Sequence, residues 1–174
     1  MKKNFIQSRI IVVMTVLIAA MVFTPLVSSF PTGISGVKDS GCNCHGATTS
    51  DSVTPMIMGL PEVYNYSQVY ELTVSFTGGP STPGNINLGG FHLWASEGEL
   101  SVTDATAQQY NPNEVGHTEV GNDQTSWTVT WTAPDTDRNV EMILHVNSVN
   151  GNAGDGAGSS GDEWNKISQK INAP

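Results

Sequence analysis

The chain has 174 residues, of which sixteen are Asp or Glu and only seven are Lys or Arg. Three of the seven basic residues and none of the acidic ones fall within residues 1–29, so residues 30–174 carry a net charge of −12. This excess of negative charge excludes nucleic acid as a partner and disfavours binding to anionic lipid head groups. The remaining length of about 145 residues is enough for one domain whose core folds without disulfides.

Residues 1–29 have the pattern of a secretory signal peptide. Lys2, Lys3 and Arg9 precede an apolar run from Ile10 to Val22, and small residues follow it at Ser28 and Ser29. We therefore predict cleavage before Phe30, a single domain over 30–174, and a secreted or cell-surface location. The alternative is an uncleaved N-terminal anchor, because the apolar stretch extended to Val27 reaches about the minimum length of a membrane span.

The next segment holds both cysteines of the chain in the sequence Gly41-Cys42-Asn43-Cys44-His45. Two thiols and an imidazole this close together can bind a metal, attach a haem covalently or form a small disulfide. In an extended chain, Cys42 and Cys44 would lie about 6.6 Å apart on one side and His45 on the other, so haem attachment requires a kink near Asn43. A Cys-x-Cys disulfide would be strained, and a zinc or cuprous site would need a fourth ligand, for example another histidine.

Four runs further along the chain alternate apolar and polar residues with the period of two that is typical of half-buried strands. They cover residues 70–77, 91–95, 127–132 and 140–147, and Gly-, Pro- and Asn-rich turn sequences separate them. Because no helical period follows residue 30, we predict an all-β, antiparallel β-sandwich of immunoglobulin type. Residues 33–54 have neither period, so the cysteines should lie on an irregular N-terminal arm against the sandwich.

Several other residues are candidates for a site. His92 and His145 fall on the outward faces of predicted strands, with Trp94 beside His92, so we expect an exposed patch that is available for recognition. In the Gly-rich loop over 150–162, Asp155 and Asp162 match no known calcium loop and are expected to be solvated turn residues. The chain has no nucleophile elbow, zinc-protease motif or phosphate-binding glycine loop, so we expect no enzymatic activity.

A set of short motifs resembles the choice-of-anchor V group of bacterial and archaeal surface proteins, which are similar to Reeler domains. In chain order they are Thr32-Gly33, the cluster 41–46, Gly59-Leu60-Pro61, residues 66–74, 90–93, 116–118, 131–134 and 147–151, and Gly161-Asp162. The resemblance implies an extracellular immunoglobulin-like sandwich with a cytochrome-like Cys-x-x-Cys-His near its start. This chain departs from that pattern in having one residue between its cysteines and no membrane anchor after the domain, which suggests a protein that is freely secreted or held by its N-terminal segment.

The resemblance also makes His117 a candidate iron ligand, because His117 matches the His-Thr position of the family. The leading expectation is therefore a haem c on Cys42 and Cys44, with His45 and His117 as iron ligands, that passes electrons to an unidentified redox partner. The alternative is an extracellular binding or adhesion module for an unidentified surface ligand. Its Cys-x-Cys would then be a disulfide, or a Zn or Cu site in which both cysteines are ligands.

Overall fold

The computed structural model describes residues 32–82, 84, 86–151 and 159–174. The predicted signal peptide and Asp155 lie outside the described residues. The described residues form nine β-strands: β1 (Val53–Met58), β2 (Val69–Gly78), β3 (Gly89–Ala95), β4 (Glu99–Val102), β5 (Ala107–Asn111), β6 (Glu114–His117), β7 (Ser126–Thr132), β8 (Val140–Ser148) and β9 (Glu163–Ile171). The helical content of this part of the chain consists of two single 3₁₀ turns, Asn43–His45 and Val120–Asp123.

The strands form two antiparallel sheets. One has the order β1-β2-β7-β4 and the other the order β5-β6-β3-β8-β9. This arrangement confirms the predicted antiparallel β-sandwich, and the four predicted runs correspond to β2, β3, β7 and β8. The arm is also present, but it ends earlier than predicted because β1 begins at Val53.

The core lies between the two sheets, where the inward residues of each alternating strand meet. Leu72, Val74 and Phe76 of β2 face Leu93, Leu144 and their neighbours from the second sheet, and all are buried. Trp127 and Trp131 of β7 fill the centre of this layer. Each indole N–H finds a backbone acceptor, at Gly121 O (2.8 Å) and Glu97 O (3.1 Å) respectively, so burial leaves neither donor unpaired.

The outer face of the five-stranded sheet carries the other set of alternating residues. His92 lies opposite His145 in the β3–β8 pair, and Trp164 of β9 lies opposite Asn147 of β8. Residues 32–50 run across part of this face and contact it at Trp94, Glu114 and Trp164. The outward residues at the far end of β9, including Ser168 and Lys170, remain exposed. The expectation that His92 and His145 are exposed is therefore wrong: their exposed fractions are 3% and 0%. Their orientation was predicted from the strand period, which carries no information about what covers the face.

Candidate functional site

The cysteine cluster adopts a turn and not an extended conformation. Gly41 has φ +65° and donates its N–H to Val37 O at 2.7 Å, and His45 N–H closes the 3₁₀ turn onto Cys42 O at 2.8 Å. In a 3₁₀ helix, backbone hydrogen bonds join residues i and i+3. Cys42 and His45 are therefore the two ends of the hydrogen bond that closes this turn, and Cys44 lies between them.

Trp164 is the surface on which this turn rests. A Cβ at Gly41 would lie less than 3 Å from ring carbons of Trp164 and 3.2 Å from Cδ2 of His145. The Trp164 indole N–H donates to Gly46 O at 2.8 Å, and its backbone carbonyl accepts the Ser50 N–H at 2.8 Å. The position of the turn is thus set by β9, a strand that alternation along the sequence did not predict.

His45 is held by a carboxylate. Its Nδ1 lies 2.9 Å from Oδ2 of Asp162, and the Asn147 side-chain amide lies 3.4 Å from its Nε2. Asp162 is itself fixed, because its Oδ1 accepts the Asn150 N–H at 3.0 Å. With Nδ1–H donating to the carboxylate, the Nε2 lone pair of His45 accepts from the Asn147 amide, and a metal at Nε2 would replace this hydrogen bond. Asp162 was expected to be a solvated turn residue, and its partner lies 117 positions away in the sequence.

His117 lies at the end of β6, next to the arm. Its Nδ1 is 3.1 Å from both the N–H and the carbonyl O of Phe91, and its ring occupies the space that a side chain at Gly90 would fill. Burial lowers the pKa of His117 and the Phe91 contact opposes this, while the charge of His45 lowers it further.

The two cysteines have different surroundings. Cys42 is half-buried and carries a free thiol, whereas Cys44 is exposed. Burial, with a smaller contribution from Cys44, raises the pKa of the Cys42 thiol to about 12. Because the thiolate is the nucleophile in disulfide exchange and the ligand in metal binding, this rise in pKa disfavours both reactions at Cys42.

The arm is also attached above the two buried histidines. Oε1 of Glu114 accepts the Gly36 N–H at 2.6 Å and lies 2.7 Å from Nε2 of His92. Lys38 places its ammonium 4.1 Å from the centre of the Trp94 ring, which is half-buried. The recognition patch predicted around Trp94 is therefore wrong, since the arm covers Trp94 and buries both histidines. Sequence reasoning missed Glu114, although its position opposite Trp94 follows once β6 is recognised as a strand.

Among the described residues, no group of three or more His, Cys, Asp or Glu side chains is arranged to hold a metal ion as the side chains stand. The same part of the chain contains no helix with the length and apolar character of a membrane span.

No protein-family model and no curated protein matches this chain. Solved structures that are similar include the Reelin-N domain of F-spondin, with 18% identity, a TM-score of 0.46, and coverage of 72% of this chain and 88% of that one. A conjugative transposon lipoprotein from Bacteroides eggerthii has 15% identity and a TM-score of 0.43, covering 71% of this chain and 99% of that one. At these values the comparisons assign no family.

Proposed function

We propose that this protein is a secreted or cell-surface electron carrier, with a Reeler-like β-sandwich that holds one covalently attached haem. Cys42 and Cys44 are the attachment residues, and His45 and His117 are the two iron ligands. When bound, the haem supplies a one-electron couple, and two histidine ligands leave no open iron position for oxygen chemistry. The sequence resemblance and the predicted signal peptide support this proposal, and one structural observation carries it.

That observation is the way in which the two histidines are oriented. In His45, Nδ1 lies 2.9 Å from Asp162 Oδ2. In His117, Nδ1 lies 3.1 Å from both the N–H and the carbonyl O of Phe91, and Nε2 is the nitrogen with the lone pair only in the tautomer that donates to the carbonyl. Metal-bound histidines almost always donate their second ring N–H to such an acceptor, which fixes the tautomer and increases the basicity of the ligand nitrogen. With Nδ1–H donating in both rings, Nε2 would be the iron ligand of each once His45 Nε2 releases the Asn147 amide, and the two rings come from different elements, the arm and β6.

The 3₁₀ turn that carries the cysteines supports the haem assignment less completely than the two histidines do. The backbone hydrogen bond between Cys42 O and His45 N–H closes the 3₁₀ turn, so the half-buried cysteine and the proximal imidazole belong to the same turn. Cys44 is exposed, although no residue separates it from His45. Attachment through both sulfurs therefore requires the turn to rearrange.

The test is to express the full chain in a host with a haem-attachment system and to measure haem that survives acid-acetone extraction. We expect coloured protein from the wild type and none from a Cys42→Ser, Cys44→Ser double variant. The pyridine haemochrome spectrum then shows whether one or two vinyl groups have reacted. Colourless wild-type protein, produced beside a control cytochrome that is loaded normally, would rule out the proposal.

The ligand assignment has its own control. His117→Phe should leave the haem attached but change the spectrum from six-coordinate low-spin to five-coordinate high-spin iron. His92→Phe, which removes another histidine of the same sheet face, should leave the spectrum unchanged. An unchanged spectrum in His117→Phe would show that His117 is not a ligand. Elemental analysis and a thiol count of the same preparations distinguish haem from the Zn, Cu and disulfide alternatives.

A further inference from the structure

Two buried histidines lie beneath the arm, apart from the proposed haem ligands. His92 and His145 are directly opposite each other in adjacent antiparallel strands, and their ring centroids are 5.8 Å apart. Three of their four ring nitrogens are fully buried without a hydrogen-bond partner: Nδ1 of His92 and both nitrogens of His145. An unpartnered buried polar atom costs about 1–3 kcal/mol, so three of them on facing rings need an explanation.

Glu114 settles the protonation of the first ring. Burial raises the pKa of Glu114, but the hydrogen bonds from Gly36 and His92 outweigh this effect and the net pKa is lowered. The carboxylate is therefore ionised and accepts hydrogen bonds. Nε2–H of His92 then donates to Glu114, which leaves the lone pair of Nδ1 without a partner. Histidines that bind a metal through one ring nitrogen commonly donate the N–H of the other nitrogen to a carboxylate, as His92 donates to Glu114 here.

Both rings are in the neutral form that a metal requires. Burial lowers the pKa of His92, although Glu114 opposes the effect. Burial, then the charge of His92 and that of Lys166, lower the pKa of His145 to about 4. Neither ring therefore carries a proton that a metal must displace from the ligand nitrogen at neutral pH.

The distance of 5.8 Å between the centroids of the His92 and His145 rings also fits one metal ion shared by both rings. A direct N–H···N hydrogen bond of about 2.9 Å would bring the centroids to within about 5.1 Å, so the rings are too far apart for one. With metal–nitrogen distances of about 2.0 Å, a shared ion places the centroids at most about 6.2 Å apart, and the observed spacing corresponds to a ligand–metal–ligand angle of about 140°.

From these observations we propose that His92 and His145 form a buried two-imidazole site for one cuprous ion, distinct from the Cys-x-Cys-His turn. Imidazole suits copper and zinc, but zinc sites need three or four protein ligands. Within the described part of the chain no third His, Cys, Asp or Glu completes such a group. Copper(I) accepts two nitrogen ligands without a third, bent here by about 40° from linear, and burial beneath the arm with Trp164 packed beside His145 keeps both rings from bulk solvent.

The experiment uses the full chain with Cys42→Ser and Cys44→Ser, because this background cannot attach haem and has no thiol to compete for copper. It is titrated anaerobically with Cu(I) in the presence of a chromophoric chelator. We expect one equivalent to be bound, and X-ray absorption at the copper edge should show two nitrogen ligands. Because covalent haem is absent from this background, the result is independent of the haem proposal.

Variants locate the site. His145→Phe removes both unpartnered nitrogens of that ring without leaving a cavity, and it should fold and lose the bound equivalent. His92→Phe is the second variant and should have the same effect. Glu114→Gln should weaken binding by roughly 10–100-fold, the usual cost of losing such a supporting carboxylate. Lys166→Ala is the matched control, since Lys166 lies opposite His145 on β9 but has no role as a ligand, and it should retain the copper.

Three results would overturn the proposal. The first is no bound equivalent in the cysteine-free chain. The second is equal binding by the cysteine-free chain and by its folded His145→Phe or His92→Phe variants. The third is an absorption spectrum with sulfur or more than two protein ligands, which would place the copper elsewhere.

Discussion

Replacing Gly41 by Ala tests whether the arm is seated on Trp164. Gly41 has φ +65°, in the left-handed region, and the Cβ of an alanine there would lie less than 3 Å from the Trp164 ring. Gly36 provides a matched control, because its φ is +76° and a Cβ there would meet nothing within 4 Å. Both substitutions strain the backbone equally, but only Gly41→Ala disturbs the contact between arm and sheet.

The two costs can be estimated separately. A left-handed conformation costs an L-residue about 1–2 kcal/mol relative to glycine, and this applies to both variants. Carbon atoms pack best at about 3.5–4.0 Å, so the alanine methyl at position 41 must push the arm away from Trp164 or shift the ring. Overpacking of this kind typically costs a further 1–3 kcal/mol. We therefore expect Gly41→Ala to lose about 2–5 kcal/mol of unfolding free energy and Gly36→Ala about 1–2.

Denaturant unfolding followed by tryptophan fluorescence measures these losses, and hydrogen exchange analysed by mass spectrometry shows where they arise. In Gly41→Ala, amides of residues 36–50 should exchange faster while those of β3 and β8 stay protected. Equal losses of stability in the two variants, with unchanged exchange in the arm, would show that the arm does not rest on Trp164 in solution.

Three further predictions concern single groups around the same face. In haem-loaded protein, Gly90→Ala should convert the iron to high spin, because its Cβ would lie 2.6 Å from Nε2 of His117 and displace the ring; the visible spectrum reports this. In haem-free protein, the pKa of about 12 makes the Cys42 thiolate about a thousandfold scarcer than at the ordinary value of 9.0. Alkylation of Cys42 at pH 8 should therefore be slower in the folded than in the unfolded chain by about that factor, which mass spectrometry measures. Burial raises the pKa of Tyr110 to about 12, so its phenol should keep its proton in the folded protein at a pH near 10, where it ionises in the unfolded chain. The free energy of unfolding should therefore fall as pH rises from about 10 to 12, and it should fall less in Tyr110→Phe.

The sequence was most informative where one face of a strand is apolar. In β2, Leu72, Val74 and Phe76 alternate with polar residues and all three are buried, so both the strand and its inward face could be predicted. In β9 the inward positions include Asn165 and Gln169 as well as Ile167, so polar residues lie on both faces of this edge strand and the period disappears. Missing β9 also meant missing Trp164, the residue on which the cysteine turn rests.

Pairings between distant residues could not be predicted for a related reason. The strand period gave the outward direction of His92 and His145, and the ligand spacing singled out Cys42, Cys44 and His45. Neither property says that Asp162 would meet His45, since that contact depends on how the arm crosses β8 and β9. The arm itself has no periodic pattern, so its path over the outer face follows only from the tertiary contacts that hold it.

The arm connects the two proposed sites, because it both carries the cysteine turn and covers the buried histidine pair. Glu114 accepts the Gly36 N–H and the His92 N–H with the same oxygen, so docking of the arm and the tautomer of His92 depend on one carboxylate. A chain in which haem attachment moves the turn should therefore also change the surroundings of His92. If the two sites are coupled in this way, Gly41→Ala in the cysteine-free chain should weaken copper binding even though it alters no ligand, and Gly36→Ala should do so less.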